Sequence, residues 1–241
     1  MSRSRLGIVV AALAFLAGCG PSADNLAELK STQSEIGARL ATLDTKLDAL
    51  ASAPVPSAPP PAFDPDKIYD LPVGASPVKG PAGAKAVIVA FADFQCPFCA
   101  QSATLVDDVL REYPRDVKLV FKQLPLTQIH PLAMHAAKAS LAAHRQGKFW
   151  PFHDVLFEKS RALEPENVKR YAEESGLDLE RFDKDLSAPA IATQIDDDMR
   201  LARAAGVRGT PALFVNGRRV SNRSREGLKA MIDPLLAAQA K

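Results

Sequence analysis

Cysteine is scarce in this chain. Its 241 residues contain three, Cys19, Cys96 and Cys99, beside a single tryptophan. Three thiols cannot by themselves supply the four ligands of a structural zinc site. His130, His135, His144 and His153 show no i,i+4 spacing that would pair two of them on one helix face, so they read as ordinary surface or core residues. A surplus of one charge is also lacking: 30 basic residues face 28 acidic ones, and Arg3 and Arg5 fall in a leader-like segment. No nucleic-acid partner is expected from such a balance. The longest apolar run, Leu6 to Ala17, is twelve residues. As a helix it reaches about 18 Å, well short of the roughly 30 Å hydrocarbon core of a bilayer. No repeat of solenoid period is present. With 47% apolar residues the chain can bury one good core and carry an appendage.

That short run has the order of a secretory signal: a basic start, an apolar stretch, then small residues. Leu16-Ala17-Gly18-Cys19 resembles the bacterial lipobox, in which the cysteine thiol is acylated and becomes the new N-terminus. The signal is therefore expected to span 1–18 and Cys19 to carry lipid. Buried acyl chains contribute about 0.8 kcal/mol per CH₂, so two or three of them hold a protein firmly on a membrane. Gly20 in place of Asp resembles the sorting signal for the outer membrane. An exported chain sits in an oxidising compartment, where Cys96 and Cys99 are the thiols that remain.

After the anchor, Leu26, Leu29, Ile36, Leu40, Leu43, Leu47 and Leu50 recur at alternating spacings of three and four, with Gln33 in the one missing place. Heptad positions a (26, 33, 40, 47) and d (29, 36, 43, 50) predict a coiled coil within residues 19–52 that joins copies of the chain through 26–50. Arg39 at g is placed to meet Asp44 at the next e. Leucine at a, with Ile and Leu at d, leans toward three or four strands, and a trimer is favoured. Gln33 and Gly37 weaken the helix. A Pro-rich spacer over 53–66, including APVPSAPPPA, holds this helix away from the C-terminal three quarters of the chain.

From residue 67 to 241 the pattern is that of one α/β domain. Ala86 to Ala92 (AVIVAFA) is a buried strand, 97–113 an amphipathic helix that Pro114 stops, and Val117 to Leu124 a second strand. Residues 130–206 carry helical periodicity and punctuation, with Pro165, Gly176 and Gly206 at segment ends. Ala212 to Val215, Asn216-Gly217 and Arg218 to Ser221 form a hairpin signal suited to a type I′ turn. A last helix covers about 224–239.

Cys96 and Cys99 stand where the first strand passes into the first helix. A helix start presents unpaired N–H groups and about half a positive charge, which favours a thiolate at Cys96. Pro97 suits the first helical turn because its missing N–H would be unpaired there anyway. Cys99 falls on the apolar stripe one turn on, where burial favours the thiol. This asymmetry predicts dithiol exchange, with Cys96 the nucleophile and Cys99 the resolving thiol. Such exchange calls for neither cofactor nor metal.

FADFQCPFC, IHPLAMHAAKAS, GKFWPFHDVLF and GTPALFVNG together resemble the DsbA-like branch of the thioredoxin superfamily, over about residues 75–240. The resemblance implies a thioredoxin fold with a helical domain inserted at about 130–206. It also implies a cis proline at Pro211 lying against the cysteines, with Thr210 beside it pairing to extended substrate and Pro97 and Phe98 completing the substrate surface. The expected partners are cysteine-containing exported proteins and a membrane or periplasmic redox protein. A Thr before the cis proline resembles the oligomeric isomerases of the superfamily and the trimeric copper-resistance ScsC proteins. Two departures stand out. Several relatives hold a buried acid six residues before the attacking cysteine, where this chain has Ala90, so no proton acceptor for Cys99 is assigned; Asp93 is the nearest acid in sequence and Lys122 a possible partner for it, with capping or solvation the expected role of each. Pro97-Phe98 lacks the histidine of strong oxidants, which implies a milder one.

Two other classes compete with the oxidoreductase: a Cu(I)-binding copper-tolerance protein using both thiolates, and a spacer lipoprotein whose domain only binds partners.

Overall fold

The computed structural model describes residues 23–52 and 67–238. The leader, Cys19 and the spacer expected at 53–66 lie outside the described residues. The chain divides into two compact units, 1–58 and 59–241.

In the first unit the heptad segment is one uninterrupted helix, α1 (Ala23–Ser52). Thirty residues at 1.5 Å each give about 45 Å. Within it Thr32, Thr42 and Thr45 return their hydroxyls to carbonyls one turn back, and Arg39 pairs with Glu35 at 2.9 Å along the same chain. Leu29, Ile36, Leu40 and Leu43, the apolar seam, are exposed.

The second unit is built on a five-stranded sheet in the order β1-β3-β2-β4-β5: β1 (Val78–Lys79), β2 (Ala86–Ala92), β3 (Val117–Gln123), β4 (Ala212–Val215) and β5 (Arg218–Arg219). β2 and β3 run parallel, joined by the crossover helix α2 (Pro97–Glu112), and β4 returns antiparallel on the other side of β2. The strand alternation sorts side chains to two faces. Ile88 and Ala90 join Val106 and Val109 of α2 and Leu228 and Ile232 of α8 (Arg225–Ala237). Val89 and Phe91 face the other way, onto Tyr69, Ala202 and Phe214. Such side chains contribute about 1.5–3 kcal/mol each on burial, and both faces are filled.

Between β3 and β4 the chain makes five helices: α3 (Ala133–Arg145), α4 (Phe149–Glu158), α5 (Pro165–Glu174), α6 (Leu179–Leu186) and α7 (Pro189–Ala204). Their own core gathers Phe149, Phe152, Leu156, Phe182 and Ile195 around α3. The buried alanines 136, 137, 139, 142 and 143 leave room for α4, α6 and α7 to approach it. The helical insertion of the fold is thus these five helices, from Ala133 to Ala204, joined by short turns.

The Asn-Gly turn also forms as read: Asn216 and Gly217 both take positive φ, 44° and 79°. A side chain at Gly217 would strike the Tyr69 carbonyl, 2.3 Å from where its Cβ would stand. Two features differ from the sequence reading. β1 is an extra strand, paired antiparallel to β3 through Val78 and Lys79; two residues are too few for a periodicity to register. Lys122 does not partner Asp93. It is buried and lies 3.1 Å from Asp198 on α7, where it also donates to the Val73 carbonyl and so ties the helical insertion to the sheet.

Candidate active site

Cys96 occupies the N-cap of α2 with extended backbone (φ −78°, ψ 117°), and Pro97 follows as the first helical residue. The Cys96 carbonyl accepts from Cys99 N–H at 3.0 Å, while its own N–H donates to the Asp93 carbonyl at 3.1 Å. The sulfurs therefore sit in a tight loop between β2 and α2. The Cys99 side chain enters the core and receives the backbone N–H of Asp93 at 3.5 Å. Both residues are largely covered, Cys96 at 4% exposure and Cys99 at 1%. The contrast in access foreseen between them is accordingly small; the contrast is in electrostatics.

Across from the loop, Thr210-Pro211 is a cis peptide. The Thr210 carbonyl lies 3.6 Å from the Cys96 sulfur, in reach of its thiol form, and the Thr210 hydroxyl is buried beside the same sulfur. The Cys96 pKa falls to about 5. The Cys99 thiol hydrogen-bonded to it is the largest cause, burial opposes, and Thr210 with the N–H groups of Cys99 and Phe98 add to the lowering. Cys99 moves the other way: burial, then its role as donor to Cys96, push its pKa far above the ordinary thiol range. One sulfur is held ready as an anion and its neighbour is held protonated.

The rim is apolar. Pro97 is exposed, and Phe98 at 64% and Ile129 at 69% turn large side chains to solvent. Ile129 belongs to a loop (124–132) that is clamped to the cysteine loop. Asp93, with its side chain fully covered, accepts Gln95 N–H at 2.8 Å on one oxygen and Leu126 N–H at 2.8 Å on the other, where His130 Nδ1 also lies at 2.8 Å. Gln95 in turn accepts Leu132 N–H at 2.6 Å. Sequence reasoning placed Asp93 only as a cap or solvated acid and gave no role to Gln95 or His130. The residues lie far apart along the chain, and no local spacing announces their meeting. Among the described residues no group of three or more His, Cys, Asp and Glu side chains could hold a metal, which leaves a copper reading with two thiolates alone.

A parallel-strand crossover with a dithiol at its helix start, opposed by a cis proline, defines a dithiol–disulfide protein of mixed α/β class. The chain belongs to the thioredoxin family, whose model matches residues 73–234. A thioredoxin-like oxidoreductase from Silicibacter pomeroyi has the same fold, at TM-score 0.63 and 31% identity over 68% of this chain and 94% of that one. ScsC from Proteus mirabilis, at 21% identity, shares the fold with TM-score 0.63 over 90% of this chain and all of that one. The Na(+)/H(+) antiporter NhaA 3 of Salinispora tropica is 43% identical over 156 residues, 63% of this chain. The chain spans about a quarter of the length of the curated relatives it matches. Among the described residues no helix is long and apolar enough to cross a membrane.

Proposed function

We propose that this protein is a periplasmic, lipid-anchored thiol–disulfide oxidoreductase that acts on exported proteins, with several catalytic domains gathered by α1. The observation that carries the reading is the placement of the dithiol: Cys96 at the start of α2, Cys99 buried one turn on, and Thr210-Pro211 across from them. The Cys96 thiolate attacks a substrate disulfide and forms a mixed disulfide, releasing the first substrate sulfur as a thiolate. Cys99 then attacks Cys96, the Cys96–substrate bond breaks, and the second substrate sulfur leaves with its electron pair. Run backwards, the same steps oxidise a substrate dithiol. A Cys96 pKa of about 5 stabilises the reduced form and so favours that oxidising direction. Pro97, Phe98 and Ile129 give an unfolded substrate an apolar place to rest, and the backbone at Thr210 can pair with an extended segment. A membrane or periplasmic thiol partner restores the starting state.

Isomerisation is a second reading, favoured by the exposed seam of α1: an oligomer faces one misfolded substrate with several dithiols. Refolding of a scrambled-disulfide protein by the full chain, and by a chain beginning at residue 63, tests both. Oxidase activity without isomerase activity in either supports the first reading, and isomerase activity lost with α1 supports the second. Tight Cu(I) binding that depends on Cys96, with no exchange activity in any assay, would end both in favour of copper handling.

A further inference from the structure

The sequence leaves Cys99 without a proton acceptor because Ala90 stands where relatives hold an acid. The structure puts other groups at that place. Behind Cys99, Ala90, Ser102, Phe121, His153 and Pro211 line a cavity of about 20 Å³, room for about one water. Ser102 lies three residues beyond Cys99 on the same face of α2, and its buried hydroxyl has no hydrogen-bond partner. An uncommitted hydroxyl in an apolar wall costs about 1–3 kcal/mol, so its presence calls for an explanation.

His153 provides the way out. It lines the cavity, and it also lines a groove of about 400 Å³ on the outer surface with Thr104, Asp107, Arg111 and Asp154. Its Nδ1 lies 2.8 Å from an oxygen of Asp154, whose side chain is 58% exposed. An ionised Asp154 accepts the proton on Nδ1, which leaves Nε2 as the ring's acceptor. The ring is held edge-on among Phe121, Phe157 and Trp150. The charged groups facing it are Asp154 on its own helix, Asp107 on α2 and Lys79 on β1, the last two paired with each other at 2.8 Å. Burial, the largest influence, keeps the ring below the ordinary imidazole pKa and hence neutral at pH 7.

We propose that His153 takes the proton from Cys99 across this cavity, by way of one water that the Ser102 hydroxyl holds there, as that thiol attacks Cys96, and passes it by way of Asp154 to solvent. The Cys99 S–H bond breaks and its electron pair makes the Cys96–Cys99 bond. The Cys96–substrate bond breaks, the substrate leaves as thiolate, and the proton rests on Nε2 of an imidazolium held by Asp154. Transfer is concerted with attack, so no free thiolate forms in the apolar wall. The reverse reaction returns the proton to Cys99 along the same path. His153 is the proton acceptor and Ser102 a positioning residue that holds the water; the bond-making atoms are the two sulfurs.

This inference rests on the dithiol reading, and the test separates the two. The reduced full chain is mixed with an aromatic disulfide whose released thiolate is coloured. The first release, second order, reports attack by Cys96; the second, independent of reagent concentration, reports attack by Cys99. His153→Gln is expected to leave the first phase alone and to slow the second at pH 7 by on the order of a hundredfold. Its second phase should climb with pH, because only hydroxide is left to take the proton, whereas the wild-type phase stays level above the His153 pKa and falls below it. Asp154→Asn, a change at a largely exposed side chain that leaves the core intact, is expected to slow the second phase to a smaller degree. An unaltered second phase and pH profile in both variants would overturn the relay. So would an equal slowing of both phases at every pH, the mark of a merely structural role. A wild-type chain with no second phase would instead remove the oxidoreductase reading itself.

Discussion

Leucine and isoleucine do opposite things in the two units of this chain. In α1, Leu29, Ile36, Leu40 and Leu43 leave 53–65% of their surface to solvent. In the catalytic domain Ile88, Leu156, Leu163 and Ile195 leave none. The domain has three packed clusters of such side chains. A lone helix has only its backbone ladder and a few i,i+4 contacts such as Arg39 with Glu35, and without tertiary packing it is marginal. The difference separates a stretch that packs on itself and holds the dithiol from one whose apolar side chains lie exposed, and we propose that the second serves assembly. The seam is covered, on our reading, by the same seam of further copies.

That division can be broken in several ways. The largest effect is expected from Cys96→Ser, which should bring exchange to the uncatalysed level while leaving the oligomer, measured by sedimentation, unchanged. Dissociation of that variant would mean that the two units are not independent. Phe152→Ala, in the wholly buried cluster of the insertion, should cost about 3–5 kcal/mol in denaturant unfolding. Leu40→Lys should abolish association and leave the thermal transition of the catalytic domain where it was; an unchanged solution mass would refute the coiled coil. Leu40→Ala is the milder version, expected to weaken association without abolishing it.

Chemical labelling sharpens the contrast inside the active site. Alkylation of Cys96 should track its thiolate, so the rate is level at pH 7 and falls as pH drops through about 5. The same group makes stability depend on pH. Because the folded pKa is below the unfolded one, the thiolate stabilises the reduced fold fully above the unfolded value near 9, and this contribution is lost as pH falls through about 5. Cys99 should resist alkylation across the same range until the domain unfolds. An alkylation midpoint near that of free cysteine would remove the basis for the asymmetry.

The parts of this molecule that were legible in the sequence share a physical trait: each is written within one or two turns of chain. AVIVAFA is buried on both faces, so it reads as an apolar run, and the strand occupies those seven residues. Pro97 one step after Cys96 marks the helix start, and Asn216-Gly217 allows the positive φ that the hairpin requires. Thr210-Pro211 was expected from the family resemblance, and its cis bond lies where that resemblance put it. β1 escaped because it takes its order from its neighbour β3 rather than from its own two residues.

The amino-acid sequence by itself determined the order of strands and helices apart from β1, the dithiol at a helix start and the heptad seam, because short-range sterics, helix periodicity and the backbone's unpaired N–H groups act on neighbours in the chain. Tertiary structure alone decided what surrounds that dithiol. It paired Lys122 with Asp198 rather than Asp93, set His130 on Asp93 across 37 positions, and brought His153 to the cavity behind Cys99. Those meetings depend on how the helical insertion packs on the sheet. Burial then fixes how charge is shared among the groups that meet, and neither is encoded in any local spacing.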